Sequence, residues 1–130
     1  MPMSANLANS IALLLSNNQT ISSYTDERYL ALHTENPTNL CTVGELSGSG
    51  YERTLIELTL NGNSSILNSN IVVFPVGTGT INNQITHFSI WDSNINGVPL
   101  SYGELTTPVN WVIGASISLA SNAFEQIVVD

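Results

Sequence analysis

The chain contains no lysine, and Arg28 and Arg53 are its only permanent cations. Charged residues are 9% of its 130 positions, far below the usual quarter, and acids outnumber basic residues ten to two, for a net charge of −8. That balance argues against duplex binding, because such proteins neutralise phosphates with Lys and Arg. It argues equally against a polybasic membrane anchor. Neither nucleic acid nor a membrane is therefore expected as a partner. Cys41 is the single cysteine, so no intrachain disulfide and no Cys-rich metal site can form, and it reads as a small apolar residue. The apolar run Ile11–Leu15 is far too short to cross a bilayer, and the start lacks the basic residues of a signal peptide.

What is present suits one globular domain with a real core. Hydrophobic residues make up 42%, and Asn, Ser and Thr fill the polar positions that charge usually occupies. One helix is predicted: Ser4 can cap it, Leu7, Ile11, Leu14 and Leu15 share a face, and Asn17-Asn18 stops it. About three turns cannot stand alone in water, so the helix must lie on something. It is either a lid over an open end of the domain or an arm that docks on a neighbouring subunit.

The rest reads as strands: residues 29–34, 52–60, 70–76, 84–92, 110–120 and 124–129. In 84–92, Phe88 and Ile90 fall opposite His87 and Trp91. In 110–120, strict alternation would turn Trp111, Ile113, Ala115, Ile117 and Leu119 inward. Gly- and Asn-rich turns separate the runs at 47–50, 61–65, 77–83, 93–97 and 121–123. Many short strands without intervening helices predict a mainly β fold: an antiparallel β-sandwich, jelly-roll-like, with one short N-terminal helix. Residues 1–22 form the N-terminal helix or arm, and 23–130 a single β-sandwich domain.

The stretch Asp92-Ser93-Asn94-Ile95-Asn96-Gly97 spells the first half of a calcium loop. The closing carboxylate would fall on Gly103, however, and both flanks read as strands. Asn and Asp beside Gly are what a hairpin turn requires. A turn is expected, with no metal and no cofactor.

Nothing marks an enzyme. His33 and His87 sit in apolar-flanked strands, no nucleophile elbow occurs, and the glycine-rich "GSGYE" is not followed by a helix pattern. Ten acids allow many carboxylate pairs in space, and their spacing selects none.

Four segments appear in a telling order: "YLALHTENPT" (29–38), "ELSGSGYERTLIEL" (45–58), "IVVFPVGTG" (71–79) and "ITHFSIWDSNINGVPLSYGEL" (85–105). Together they resemble small bacteriophage virion structural proteins, with Leu-His-Thr-x-Asn-Pro and Glu-x-Ser-Gly-x-Gly-Tyr-x-Arg as the specific parts. The resemblance implies a part of a phage particle, made in the bacterial host cytoplasm, and not an enzyme. A compact single domain favours a capsid decoration (cement) protein that clamps neighbouring capsid subunits. The alternative is a tail or tail-fibre component, or a receptor-binding module. The expected partners are the chain itself, as a homo-oligomer and most simply a trimer, and the major capsid protein or tail proteins. Tyr51 and Arg53 invite two readings: a latch on an acid such as Glu45 or Glu52 that orders the "ELSGSG" loop, or a subunit contact, since Tyr and Arg anchor interfaces. Leu7, Ile11, Leu14, Tyr51 and Arg53 are the candidate interface residues.

Overall fold

The structure, a computed structural model, describes residues 3–15, 27–61, 65–119 and 125–127. In chain order the elements are α1 (Ala5–Leu15), β1 (Arg28–His33), β2 (Thr54–Ile56), β3 (Leu58–Asn61), β4 (Ser65–Asn68), β5 (Val72–Val73), β6 (Ile81–Trp91), β7 (Pro99–Trp111), β8 (Ser118–Leu119) and β9 (Glu125–Ile127). The fold is mainly β, as its alternating sequence predicts. Antiparallel pairing builds a four-stranded sheet β2-β1-β6-β7, a three-stranded sheet β3-β4-β9 and a two-stranded ribbon β5-β8.

β1 and β6 lie at the centre of the large sheet, with Leu30 opposite Ile90 and Leu32 opposite Phe88. Those four side chains face the main core, which they share with Ile56, Val72, Phe74, Ile85, Trp111 and Ile117. The opposite face of the sheet is covered too. There Ala31 and Trp91 pack with Cys41 and the partly buried Tyr102. Cover on both faces explains why the last four residues of β1 and of β6 are all buried. Cys41 is the small apolar residue expected, and burial pushes its thiol pKa up to about 11.

Ser4 caps α1 as predicted, accepting a hydrogen bond from the Leu7 amide at 3.1 Å. It also ties the helix to the sheet. Its amide donates to Leu100 O at 2.8 Å, its hydroxyl donates to Pro99 O, and Met3 bridges Ser101. The helix start thus covers part of the exposed edge of β7. Leu7 and Ile11 are half-buried, whereas the side chain of Leu14 and the stop at Asn17-Asn18 lie outside the described residues.

The structure corrects three strand expectations. Residues 52–60 are not one strand: β2 and β3 join different sheets. The break is at Glu57, whose amide donates to Asn70 Oδ1 at 2.9 Å and whose carbonyl accepts from Ser69 N at 2.8 Å, so its backbone bonds a corner instead of a ladder. Of residues 70–76, only Val72–Val73 are regular strand. The alternation of 110–120 also fails. Trp111 and Ile117 are buried, but Ile113 is 61% exposed and Ala115 is exposed as well. A turn intervenes, with Gly114 at φ +80° and Ala115 N donating to Val112 O at 3.2 Å. β7 itself extends from Pro99 through Pro108 to Trp111, joining two stretches that the sequence separates. As the outermost strand of its sheet it tolerates the missing amide of Pro108.

Candidate functional site: an arginine latch between two loops

Tyr51 and Arg53 precede β2 rather than lying in a strand, yet both reach the carboxylate of Glu45. Arg53 Nε and Nη2 donate to Glu45 Oε2 and Oε1, each at 2.9 Å, a two-pronged pairing that suits the planar guanidinium. Tyr51 Oη donates to Glu45 Oε2 at 2.7 Å and accepts from the Leu32 amide of β1 at 3.2 Å. Burial alone would raise the pKa of Glu45. The hydrogen bonds and charge of Arg53, together with the Tyr51 hydroxyl, outweigh it and hold the group below its ordinary value. Burial, with the negative charge of Glu45, drives the Tyr51 pKa far up, so the phenol stays protonated and can only donate to that carboxylate.

The guanidinium then reaches across to a second loop. Nη1 donates to Asn96 O at 2.8 Å and to Ser93 O at 3.1 Å. Its central carbon lies 3.8 Å from the centre of the Trp91 ring. Residues 92–97 form the hairpin turn expected between β6 and β7. Asp92 Oδ1 accepts from Val98 N at 2.6 Å, and Asn96 and Gly97 have φ of +57° and +81°. A Cβ on Gly97 would stand 2.6 Å from both Asp92 Oδ1 and Ser93 Cβ, so this turn demands glycine. Two carbonyls of this turn, those of Ser93 and Asn96, thus accept from a side-chain cation. An open groove of about 460 Å³ lies between the loops, lined by Glu45, Ser47, Tyr51, Glu52, Arg53 and Asn94 among others.

Beneath the latch is a buried polar chain. His33 Nδ1 lies 2.8 Å from Val43 O, and Nε2 lies 2.7 Å from Ser89 Oγ, which also accepts from Trp91 Nε1 at 2.7 Å. A carbonyl can only accept, so the neutral imidazole carries its proton on Nδ1 and Ser89 donates to Nε2. Burial lowers the His33 pKa and favours that neutral form. The spacing is that of a serine–histidine pair, but both residues are fully buried and Ser89 is already engaged by Trp91, so the pair holds β1 to β6 and offers no nucleophile to a substrate. His87, the other histidine, is half-buried, with Nε2 3.7 Å from Glu104 Oε2 and Nδ1 2.8 Å from Thr86 Oγ1.

The sequence pairs Tyr51 with Arg53 and offers Glu45 or Glu52 among the acid partners; the structure brings Tyr51 and Arg53 together on Glu45. α1 makes its hydrogen bonds elsewhere, at β7 and Asn39, so Leu7 and Ile11 belong to a separate surface. Trp91 as a platform for Arg53, and the Ser93 and Asn96 carbonyls as acceptors, were not legible. The one available signal was that the Trp-Asp pair at the end of β6 follows a run whose face partners are polar.

The fold and the inward-turned latch define a β-rich protein whose polar centre ties two loops to the large sheet. The chain belongs to the family described as podophage GP4 fiber I protein gp80, which matches residues 2–126. No curated protein matches it significantly. The protein is thus a phage virion structural protein, in line with the resemblance of its four sequence segments. The match lends no specific support to capsid decoration and favours the fibre alternative.

Proposed function

We propose that this chain is a non-catalytic structural component of a phage tail fibre that assembles with copies of itself, as a trimer in the simplest case, and joins other tail proteins. The observation that carries this reading is the fibre family match over nearly the whole chain. The interior supports it. The two-pronged Arg53–Glu45 ion pair and the His33–Ser89–Trp91 chain hold loops to strands, which suits a part that must keep its shape. Gold-labelled antibody against the chain, viewed on intact virions, tests the location. Label confined to the tail is the expected result. Label spread over the capsid shell would overturn the fibre reading and restore decoration.

A further inference from the structure

From Leu58 to Trp91 and from Leu105 to Phe124 the sequence contains no Asp, Glu, Lys or Arg, whereas six of the ten acids fall between Asp26 and Glu57. The ribbon β5-β8 and its extension bring the two uncharged stretches together. Phe74 N donates to Ile117 O and Gly77 N to Ala115 O, both at 2.9 Å, Gly114 N donates to Gly77 O at 2.8 Å, and Gly77 bridges Ile113. Along β5 the alternation is sharp: Val72 and Phe74 are buried, and Ile71 and Val73 point outward. Val76, Val112 and Ile113 are exposed as well, so the segments that this pairing brings together carry five large apolar side chains, each 43–61% exposed. Single exposed apolar residues need no explanation; a cluster of this kind marks a contact.

We propose that Ile71, Val73, Val76, Val112 and Ile113 form the surface through which copies of this chain meet. The charge distribution selects a second copy as the occupant. A chain of net charge −8 repels its own copies, and a symmetric contact sets like groups against like groups near its axis. Self-association is therefore favoured through a surface poor in charge; the two stretches that pair here carry none, and the acid that bonds next to them is Glu57, whose backbone pairs with Ser69 and Asn70 beside Ile71. A basic partner would instead be drawn to the acid-rich segment around Asp26–Glu57.

The inference rests on the proposed self-assembly, and its test separates the two. The full chain is measured by light scattering and sedimentation across concentration and salt, beside Val73→Glu, Ile113→Glu and a control, Leu40→Glu, in the loop that supplies Cys41. Circular dichroism confirms folding, and Ile113, which lies in a turn, serves should Val73→Glu fail to fold. The expected result is a wild-type oligomer that tightens with added salt, as screening relieves repulsion, and an at least tenfold weakening in both patch variants but not in the control. A wild-type chain that stays monomeric overturns self-assembly itself. An oligomer that survives both patch substitutions, dissociates equally in the control or weakens with salt overturns this surface while leaving self-assembly in place. Neither result bears on the tail location, which the labelling reads independently.

Discussion

At one end of the molecule, the 45–53 loop and the 92–97 turn are held by side-chain charge: Arg53 alone makes four hydrogen bonds to Glu45, Ser93 and Asn96. Along the β5–β8 ribbon no such group exists, and backbone bonds between Phe74–Gly77 and Gly114–Ile117 do the equivalent task. A chain with two arginines can build such a latch in very few places, so elsewhere it must rely on turns and backbone pairing. The two regions meet at Trp111. Its ring packs edge-on against Tyr51 of the latch and Phe74 of the ribbon, at centroid distances of 5.7 and 6.4 Å, and its Nε1 donates to Ser49 O at 2.8 Å.

Removing that shared pillar should erase the difference between the regions and have the largest effect. Trp111→Ala is expected to cost about 3–5 kcal/mol, combining lost burial, the cavity left behind and the loss of one of the two hydrogen bonds that the Ser49 carbonyl accepts, the other coming from Thr78 N. Chemical denaturation measures it. A loss under about 1 kcal/mol would mean that latch and ribbon are stabilised independently.

Breaking the latch alone comes next. Arg53→Met leaves a half-buried Glu45 carboxylate without its cation and frees two turn carbonyls, so a loss of about 2–4 kcal/mol is expected. Arg53→Lys keeps the charge but not the two-pronged fit and should recover only part of it. The double variant Arg53→Met/Glu45→Gln should be less destabilised than the sum of the two single changes, since each single change strands the other partner. Strict additivity would show that the pair is not coupled. The ribbon offers no counterpart to this experiment, which is the point of the contrast.

Acid should also act on the latch side first. The pKa of His33 is lowered by burial, so its contribution to stability is present above its unfolded value of 6.5 and is lost as pH falls below that value through the folded one. The pKa of Glu45 is lowered on balance from 4.5, so its contribution is lost only further down, as pH falls from 4.5 through its folded value. The thermal midpoint is expected to fall in two stages, and His33→Gln should remove the upper one. A midpoint flat from pH 7 to pH 5 in the wild-type chain would contradict this assignment.

What the sequence showed depended on whether a strand's pattern was interrupted. In β6 the alternation held over the last four residues, where Phe88 and Ile90 face the main core and Trp91 the opposite cluster; it fails earlier in the strand, where Ile85 shares the main core with Phe88 beside an irregularity in the β6–β7 pairing. The capping role of Ser4, the turn at 92–97 and the need of Arg53 for a nearby acid were legible, each being local or limited by the scarcity of cations; the choice of Glu45 over Glu52 was not. The register of 110–120 was not. Period two assumes an extended chain, and Gly114 reverses it between two correctly placed core residues, Trp111 and Ile117. The polar chain from His33 through Ser89 to Trp91 was likewise invisible, since it depends on which residues the β1–β6 register sets side by side.

The smallest effects should come from the two turns themselves, and they compare the regions most directly. Gly97 and Gly114 both have positive φ, +81° and +80°, where any side chain is strained. Around Gly97 an added Cβ would meet Asp92 Oδ1 and Ser93 Cβ at 2.6 Å, whereas around Gly114 nothing lies within 4 Å. Conformational strain alone is worth about 1 kcal/mol, so Gly114→Ala should cost roughly that much. Gly97→Ala adds a clash with the carboxylate that closes the turn and displaces the Asn96 carbonyl from Arg53, so a loss of about 2–3 kcal/mol is expected. Combining Gly97→Ala with Arg53→Met tests the link. If the turn is held through the arginine, the second change should cost less once the first is made. Gly114→Ala, 61 residues from Arg53 in sequence and on the uncharged side, should add its full cost in either background. Equal costs for the two glycine changes, additive with Arg53→Met, would mean that the arginine does not order the 92–97 turn and that both regions rely on backbone alone.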